Sequence, residues 1–302
     1  MDTDTLYSIS FANPDAPAKP RKFLSARFRY INELPRSNPA WQNALLSFFS
    51  EGSISFRDQT FAVSPGVNFC DRNPDDIGQD GVVRALLDRV DHEIIIPDHS
   101  YRPRVSMPEK SEAPLSSDEM EQIWQQVGEI RIGESAWDFA HMVNQYFSSC
   151  LRPRSIANRL FELPCEECAH RNEVCNKLRS TPGQRALNSM ISLARAFAWL
   201  RGGGEVSIQD IEQALPYTYA HRLDFHHEVF REWPNPQVYL REHVVGGHLE
   251  AKKERWLSAI AAKQANEPQR VLQIARETDD LVVAWLYTHC SKRQFSTEEV
   301  VA

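Results

Sequence analysis

The sequence predicts an α/β protein in which strands and helices alternate over the first third and the remainder is helical. Three observations carry this. Phe28-Arg29-Tyr30-Ile31, rich in aromatic and β-branched side chains, leads into Asn32-Glu33, and Trp41, Leu45, Leu46, Phe48 and Phe49 then recur at helical spacing. Ile54, Phe56, Phe61 and Val63 alternate with polar residues, as in a β-hairpin. Beyond residue 116, apolar residues such as Met120, Ile123, Trp124 and Val127 lie three and four apart.

The totals bound the function classes. A chain of 302 residues allows about two domains, and 42% hydrophobic with 25% charged residues is ordinary for a soluble globular protein. A net charge of -7 argues against broad, non-specific nucleic-acid binding. No apolar run approaches the length that spans a bilayer, and residues 1–20 contain no secretory h-region. The expectation is a cytoplasmic protein with reduced cysteines.

Taken in order, residues 1–22, with Pro14, Pro17 and Pro20, read as an N-terminal tail. A strand entry comes next over 23–31, then an amphipathic helix over 38–51 with Pro39 in its first turn, then the hairpin over 53–63. Val67–Cys70 reads as a short buried strand that stops at Asp71-Arg72-Asn73-Pro74. Residues 81–91 read as a helix and Glu93–Ile96 as another short strand closed by Pro97. Pro103, Pro108 and Pro114 among many charges mark a linker. Ser116 and Glu119 make a capping box, and a second helix from Ser135 carries Phe139, Met142, Val143, Tyr146, Phe147 and Cys150 on one face, read as core.

Strand, acidic tip and helix are also the layout of a Walker B segment in a P-loop ATPase. Alone, those residues equally suit a buried strand ending at a polar turn. Together with the elements between residues 44 and 97, they resemble the second half of the AAA+ core of MoxR-like ATPases. The similar features are the strand before Asn32-Glu33, the helix Ala44-Leu45-Leu46-Ser47-Phe48-Phe49-Ser50-Glu51, the hairpin, the strand before Asn73-Pro74, and Leu87-Asp88-Arg89. The resemblance implies that Glu33 orients the attacking water and Asn73 is sensor 1. It makes Arg89 an arginine finger acting on a neighbouring subunit. Asn32 stands where a Mg²⁺-binding Asp is usual; an amide brings no negative charge and should hold the ion more weakly.

The phosphate loop is missing. No Gly-x-x-x-x-Gly-Lys-[Ser/Thr] occurs, and Pro65-Gly66, Gly78-Gln79-Asp80-Gly81 and Gly202-Gly203-Gly204 lack the Lys-Ser/Thr that would come after. The chain is then a shortened product, which its poorly patterned start favours, or its P-loop half belongs to another chain, or it is a non-hydrolysing relative.

Residues 180–224 renew the resemblance. Thr181-Pro182-Gly183-Gln184-Arg185-Ala186-Leu187 opens a helix that Arg201-Gly202 ends; Val206-Ser207-Ile208-Gln209-Asp210-Ile211 caps the next, and His221-Arg222-Leu223 closes it. MoxR-like lids are similar, and by that match Arg185 is the sensor 2 arginine that touches nucleotide phosphates. Before it lies Cys165-Glu166-Glu167-Cys168, with Cys175 seven positions on and Cys150 upstream. Cys-x₂-Cys is a knuckle for a tetrahedral Zn²⁺, with Cys150, Cys175 or His170 to complete it; an Fe–S cluster is the rival, and buried free thiols the plain alternative. Residues 226–302 read as helical. His226, His227, His243 and His248 fit no trusted ligand spacing and read as core or solvated histidines.

The expected organisation is tail 1–22, partial AAA+ core 23–105, linker 106–118, helical lid 119–225 with its cysteine-rich insertion, and helical extension 226–302. The resemblance implies an ATPase using ATP and Mg²⁺ in a ring, expected to be a hexamer, that remodels or matures partner proteins in a chaperone-like way. A von Willebrand factor A domain protein is the implied partner type. The alternatives are a regulatory subunit offering Arg89 in trans and a metal-stabilised interaction module.

Overall fold

A computed structural model describes residues 6–8, 18–56, 58–73, 81–96, 115–148 and 170–294. The chain forms two compact units, 1–91 and 92–302. The first contains β1 (Tyr7–Ser8), β2 (Lys19–Pro20), α1 (Lys22–Ser25), β3 (Phe28–Ile31), α2 (Pro39–Glu51), β4 (Ser53–Phe56), β5 (Gln59–Ala62), β6 (Val67–Cys70) and α3 (Gly81–Leu87). β3 and β6 pair in parallel, Phe28 opposite Val67 and Ile31 opposite Cys70, with α2 and the β4–β5 hairpin in the crossover. The Asn38 side chain accepts from the Trp41 N–H, Pro39 fills the first turn, and Gly52 ends α2 in the left-handed region at φ 61°. Trp41, Leu45 and Phe48 on α2 bury against Leu24, Ile31, Ile54 and Leu86.

Residues 1–22 are not merely a tail. Leu6 is fully buried, β1 pairs antiparallel with β2, and the Arg21 N–H donates to Leu6 O at 2.9 Å. Nor is the sheet buried on both faces. Phe28, Tyr30 and Phe69 are more than half exposed, and the inward position between Phe28 and Tyr30 belongs to Arg29 at 3% exposure. Its guanidinium donates to Phe23 O (2.8 Å), Leu24 O (3.0 Å), Ser64 O (2.5 Å) and Asn68 Oδ1 (3.1 Å). Each of these partners is a neutral oxygen, and the Phe48 ring lies 5.4 Å from the guanidinium carbon. The backbone nearby is equally tight: a Cβ on Gly66 would fall 2.4 Å from Arg27 O.

The second unit contains α4 (Ser117–Glu129), β7 (Arg131–Ile132), α5 (Glu134–Ser148), a 3₁₀ turn (Val174–Lys177), α6 (Gln184–Leu200), β8 (Glu205–Val206) and α7 (Ile208–Tyr219). Then come α8 (Val229–Glu232), α9 (Pro236–Val238), a π-helix (Tyr239–Leu249), α10 (Glu250–Gln264), α11 (Pro268–Thr278) and α12 (Leu281–Gln294). Phe139, Tyr146, Phe147, Leu187, Met190, Tyr219, Leu240 and Trp256 are at the heart of one continuous core. Capping boxes form at Ser116 with Glu119 and at Ser207 with Asp210. Arg201, at the end of α6, reaches the cap carboxylate of Asp210 at 2.6 Å, and Gly202 turns the chain at φ 75°. Buried Arg222 donates to Thr218 O and Ser189 Oγ, tying α7 to α6.

Glu93–Ile96 is not a paired strand. Its backbone is held by Tyr217 O (from Glu93 N–H, 2.8 Å) and by both ends of the Gln237 amide, leaving Ile94 and Ile96 exposed. It therefore belongs to the second unit, which begins at residue 92; most of the linker expected over 106–118 lies outside the described residues.

Glu173 anchors the 170s segment. It accepts from Tyr146 OH and Lys252 Nζ (2.8 Å), and His248 Nδ1 lies 3.4 Å away. Burial pushes its pKa up, but hydrogen bonds from His248, Lys252 and Tyr146 outweigh this and hold it far below the usual carboxylate range. A depressed pKa contributes stability that is present above about pH 4.3, the ordinary Glu value, and is lost as pH falls towards the folded value. Glu173→Gln should therefore flatten the loss of thermal stability between about pH 5 and pH 2, and melting curves across that range read it. In the first unit, Arg29→Ala should cost about 3 kcal/mol by stranding buried carbonyls, read by denaturant unfolding.

Candidate functional site

The parallel pairing of β3 and β6 sets the two strand ends side by side. Because Ile31 is opposite Cys70, Asn32 stands level with Asp71. Three backbone-directed bonds lock this tip: Asp71 N–H to Ile31 O (3.2 Å), Leu34 N–H to Asp71 O (3.0 Å) and Glu33 N–H to Asp71 Oδ1 (2.5 Å). Tyr30 OH donates to Asp71 Oδ2 at 2.5 Å and lies 3.4 Å from Asn32 Oδ1. Glu33 adopts the left-handed region at φ 49°, a conformation that costs a non-glycine residue energy and is held here by its neighbours. Its carboxylate lies 3.3 Å from Arg36 NH1.

The structure thus brings Asn32, Glu33 and Asp71 together, with Asn73 exposed two residues further along the same chain end. Local patterning does not single out Asp71. The signal for it is positional: it directly follows β6, one register step from Asn32. The tip supplies hard oxygen donors suited to a hydrated Mg²⁺: the Asp71 and Glu33 carboxylates and the Asn32 amide. The Asp71 hydrogen bond, with burial and the charges of Asp71, Cys70 and Glu33, raises the Tyr30 phenol above its ordinary pKa.

A nucleotide does not fit these residues alone. The sequence has no phosphate loop, and Gly66 and Gly202 are committed to a tight backbone approach and a helix end. Arg89 turns onto its own unit, donating to Ser50 Oγ in the last turn of α2 (2.5 Å) and to Ala85 O (2.6 Å). Arg185 is exposed at the second position of α6, which begins at Gln184 after Gly183. The extra Gly183-Gln184 before it therefore marks the helix start. Cys175 is half-buried against the core; Cys150, Cys165 and Cys168 lie outside the described residues, among which no group of three or more His, Cys, Asp or Glu forms a metal site. Among the described residues no helix is long and apolar enough to cross a membrane.

Residues 169–238 match the AAA lid domain family, a span that holds the 3₁₀ turn, α6, α7 and the segment through α9. The chain is similar in fold to the crystal structure of a candidate ATPase from Cytophaga hutchinsonii, at a TM-score of 0.55 and 18% identity over 79% of this chain and 71% of that one. At that identity the likeness speaks to the fold. No curated protein matches the chain. Residues 169–238 thus carry a match to an AAA lid domain, and the order of an α/β unit followed by a helical unit is similar in fold to that ATPase structure.

Asp71→Asn removes the acceptor charge from Tyr30. The Tyr30 pKa should fall towards the ordinary value near 10, read from phenolate absorbance in a pH titration against Tyr30→Phe as the blank.

Proposed function

We propose that this chain is the sensor-and-lid portion of a MoxR-like AAA+ ATPase, which couples ATP hydrolysis to remodelling or maturation of partner proteins in a ring. The observation that carries this is the β3–β6 register, which sets Asn32-Glu33 and Asp71-x-Asn73 on adjoining strand ends. In this reading Glu33 orients the attacking water and Asn73 contacts it or the terminal phosphate. Asp71 supplies the negative charge towards Mg²⁺ that Asn32 lacks. Arg185 reaches the phosphates from the lid, and Arg89 leaves Ser50 to serve the neighbouring subunit. In this reading nucleotide binding also needs a phosphate loop, a motif these 302 residues do not contain. Assembly as a ring and work with a von Willebrand factor A domain protein follow from the same reading.

A regulatory, non-hydrolysing subunit is the second reading. The missing loop and the amide at Asn32 favour it. Calorimetry of the purified chain with ATP and Mg²⁺ should show no tight binding; tight binding would sink this account of the phosphate site. Mixed with a P-loop-bearing ATPase of the same type, the chain should raise ATP turnover at the sites it adjoins. Arg89→Ala should abolish that gain, since a finger contributes on the order of 10³ in rate. An undiminished rate would remove Arg89 from the chemistry.

A further inference from the structure

The π-helix brings together two side chains that their spacing in the sequence keeps apart. A π-helix bonds i to i+5, so residues five apart stack on one face, whereas in an α-helix they diverge. His243 and His248 are such a pair, and their Nε2 atoms face each other at 3.2 Å. Two ligands of a tetrahedral Zn²⁺ bound at about 2.0–2.1 Å lie about 3.3 Å apart, so this separation matches a bidentate pair. The opposite nitrogen of His248, Nδ1, lies 3.4 Å from Glu173 Oε2. That is the carboxylate–histidine arrangement that orients metal-bound imidazoles. Glu173 is itself fixed by Lys252 on its other oxygen and by Tyr146 OH. Trp233 and Tyr239 flank the His243 ring, at 5.5 and 5.2 Å between centroids.

We infer that His243 and His248 form a zinc-binding pair, with Glu173 as the positioning residue for His248. Among the described residues no third His, Cys, Asp or Glu completes a cluster, so a tetrahedral ion held by the pair would take its other two ligands from water. Zinc here would clamp two turns of the π-helix together, with Glu173 of the 170s segment holding the His248 ring in place. The inference stands independently of the ATPase reading. The plain alternative is a direct N–H···N bond between the two rings, which needs no metal.

The test is to strip the full chain of metal and titrate it with Zn²⁺ alone by calorimetry, then with Co²⁺ by absorbance. Wild type should bind one equivalent that is lost in His248→Ala and in His243→Gln. In Glu173→Gln that equivalent should bind about tenfold more weakly. Circular dichroism and melting curves establish that each variant is folded, and Zn²⁺ should raise the melting midpoint of wild type but not of the histidine variants. A folded wild type without Zn²⁺ binding overturns the inference. So does a zinc equivalent unchanged in both histidine variants; a cobalt–thiolate charge-transfer band retained in them would then assign that ion to cysteines.

Discussion

A buried positive charge, whose hydrogen-bond partners among the described residues are all neutral oxygens, organises the first unit. Arg29 lies under the sheet where an aliphatic residue would ordinarily be, and it gathers carbonyls from α1, from the segment after the hairpin, and an amide from β6. Desolvating a guanidinium is costly, so the arrangement holds only while every one of those oxygens stays in place. That requirement fixes α1 against β3 and β3 against β6. The strand ends, with Asn32, Glu33 and Asp71, inherit their alignment from it.

The lid relies on a different economy. Its helices begin and end on side chains from their own neighbourhood: Ser207 with Asp210, Arg201 reaching back to the same carboxylate, Arg222 holding the last carbonyls of α7. Asp210 is pulled up by burial and down, more strongly, by Arg201 and Ser207. Each such contact is short-range and needs no partner from the α/β unit. The match to a lid domain family falls on residues 169–238, a span that contains these contacts.

Legibility in the sequence divides along the same line. Helices with a wide apolar stripe and a local start signal, such as α2 with Pro39 and α7 after Val206-Ser207, start where those residues predict. The period of two in Phe28–Ile31 fixes two faces but not which one is inside, because hydrophobicity points to Phe28 and Tyr30 while the hydrogen-bonding capacity of Arg29 decides the matter. Glu93–Ile96 has strand composition, but no strand pairs with it among the described residues; a glutamine amide and one carbonyl take its backbone instead. Asp71 is hidden in the sequence because its importance comes from register, a long-range property. Arg185, in contrast, lies in a local motif, at the second position of the helix that starts at Gln184.

The π-helix has a consequence for tolerance to change in chain length. In α geometry each residue turns the helix by about 100° and advances it by about 1.5 Å. Loss of one residue at Gly246 or Gly247 would let the stretch relax to that geometry and re-phase everything after it. Trp256, Ile260 and Ala259 on α10 would rotate out of the core they now fill, although their own identities were untouched. At this place the count of residues carries structural information that composition does not, and a one-residue deletion should be far more damaging than any single substitution of either glycine.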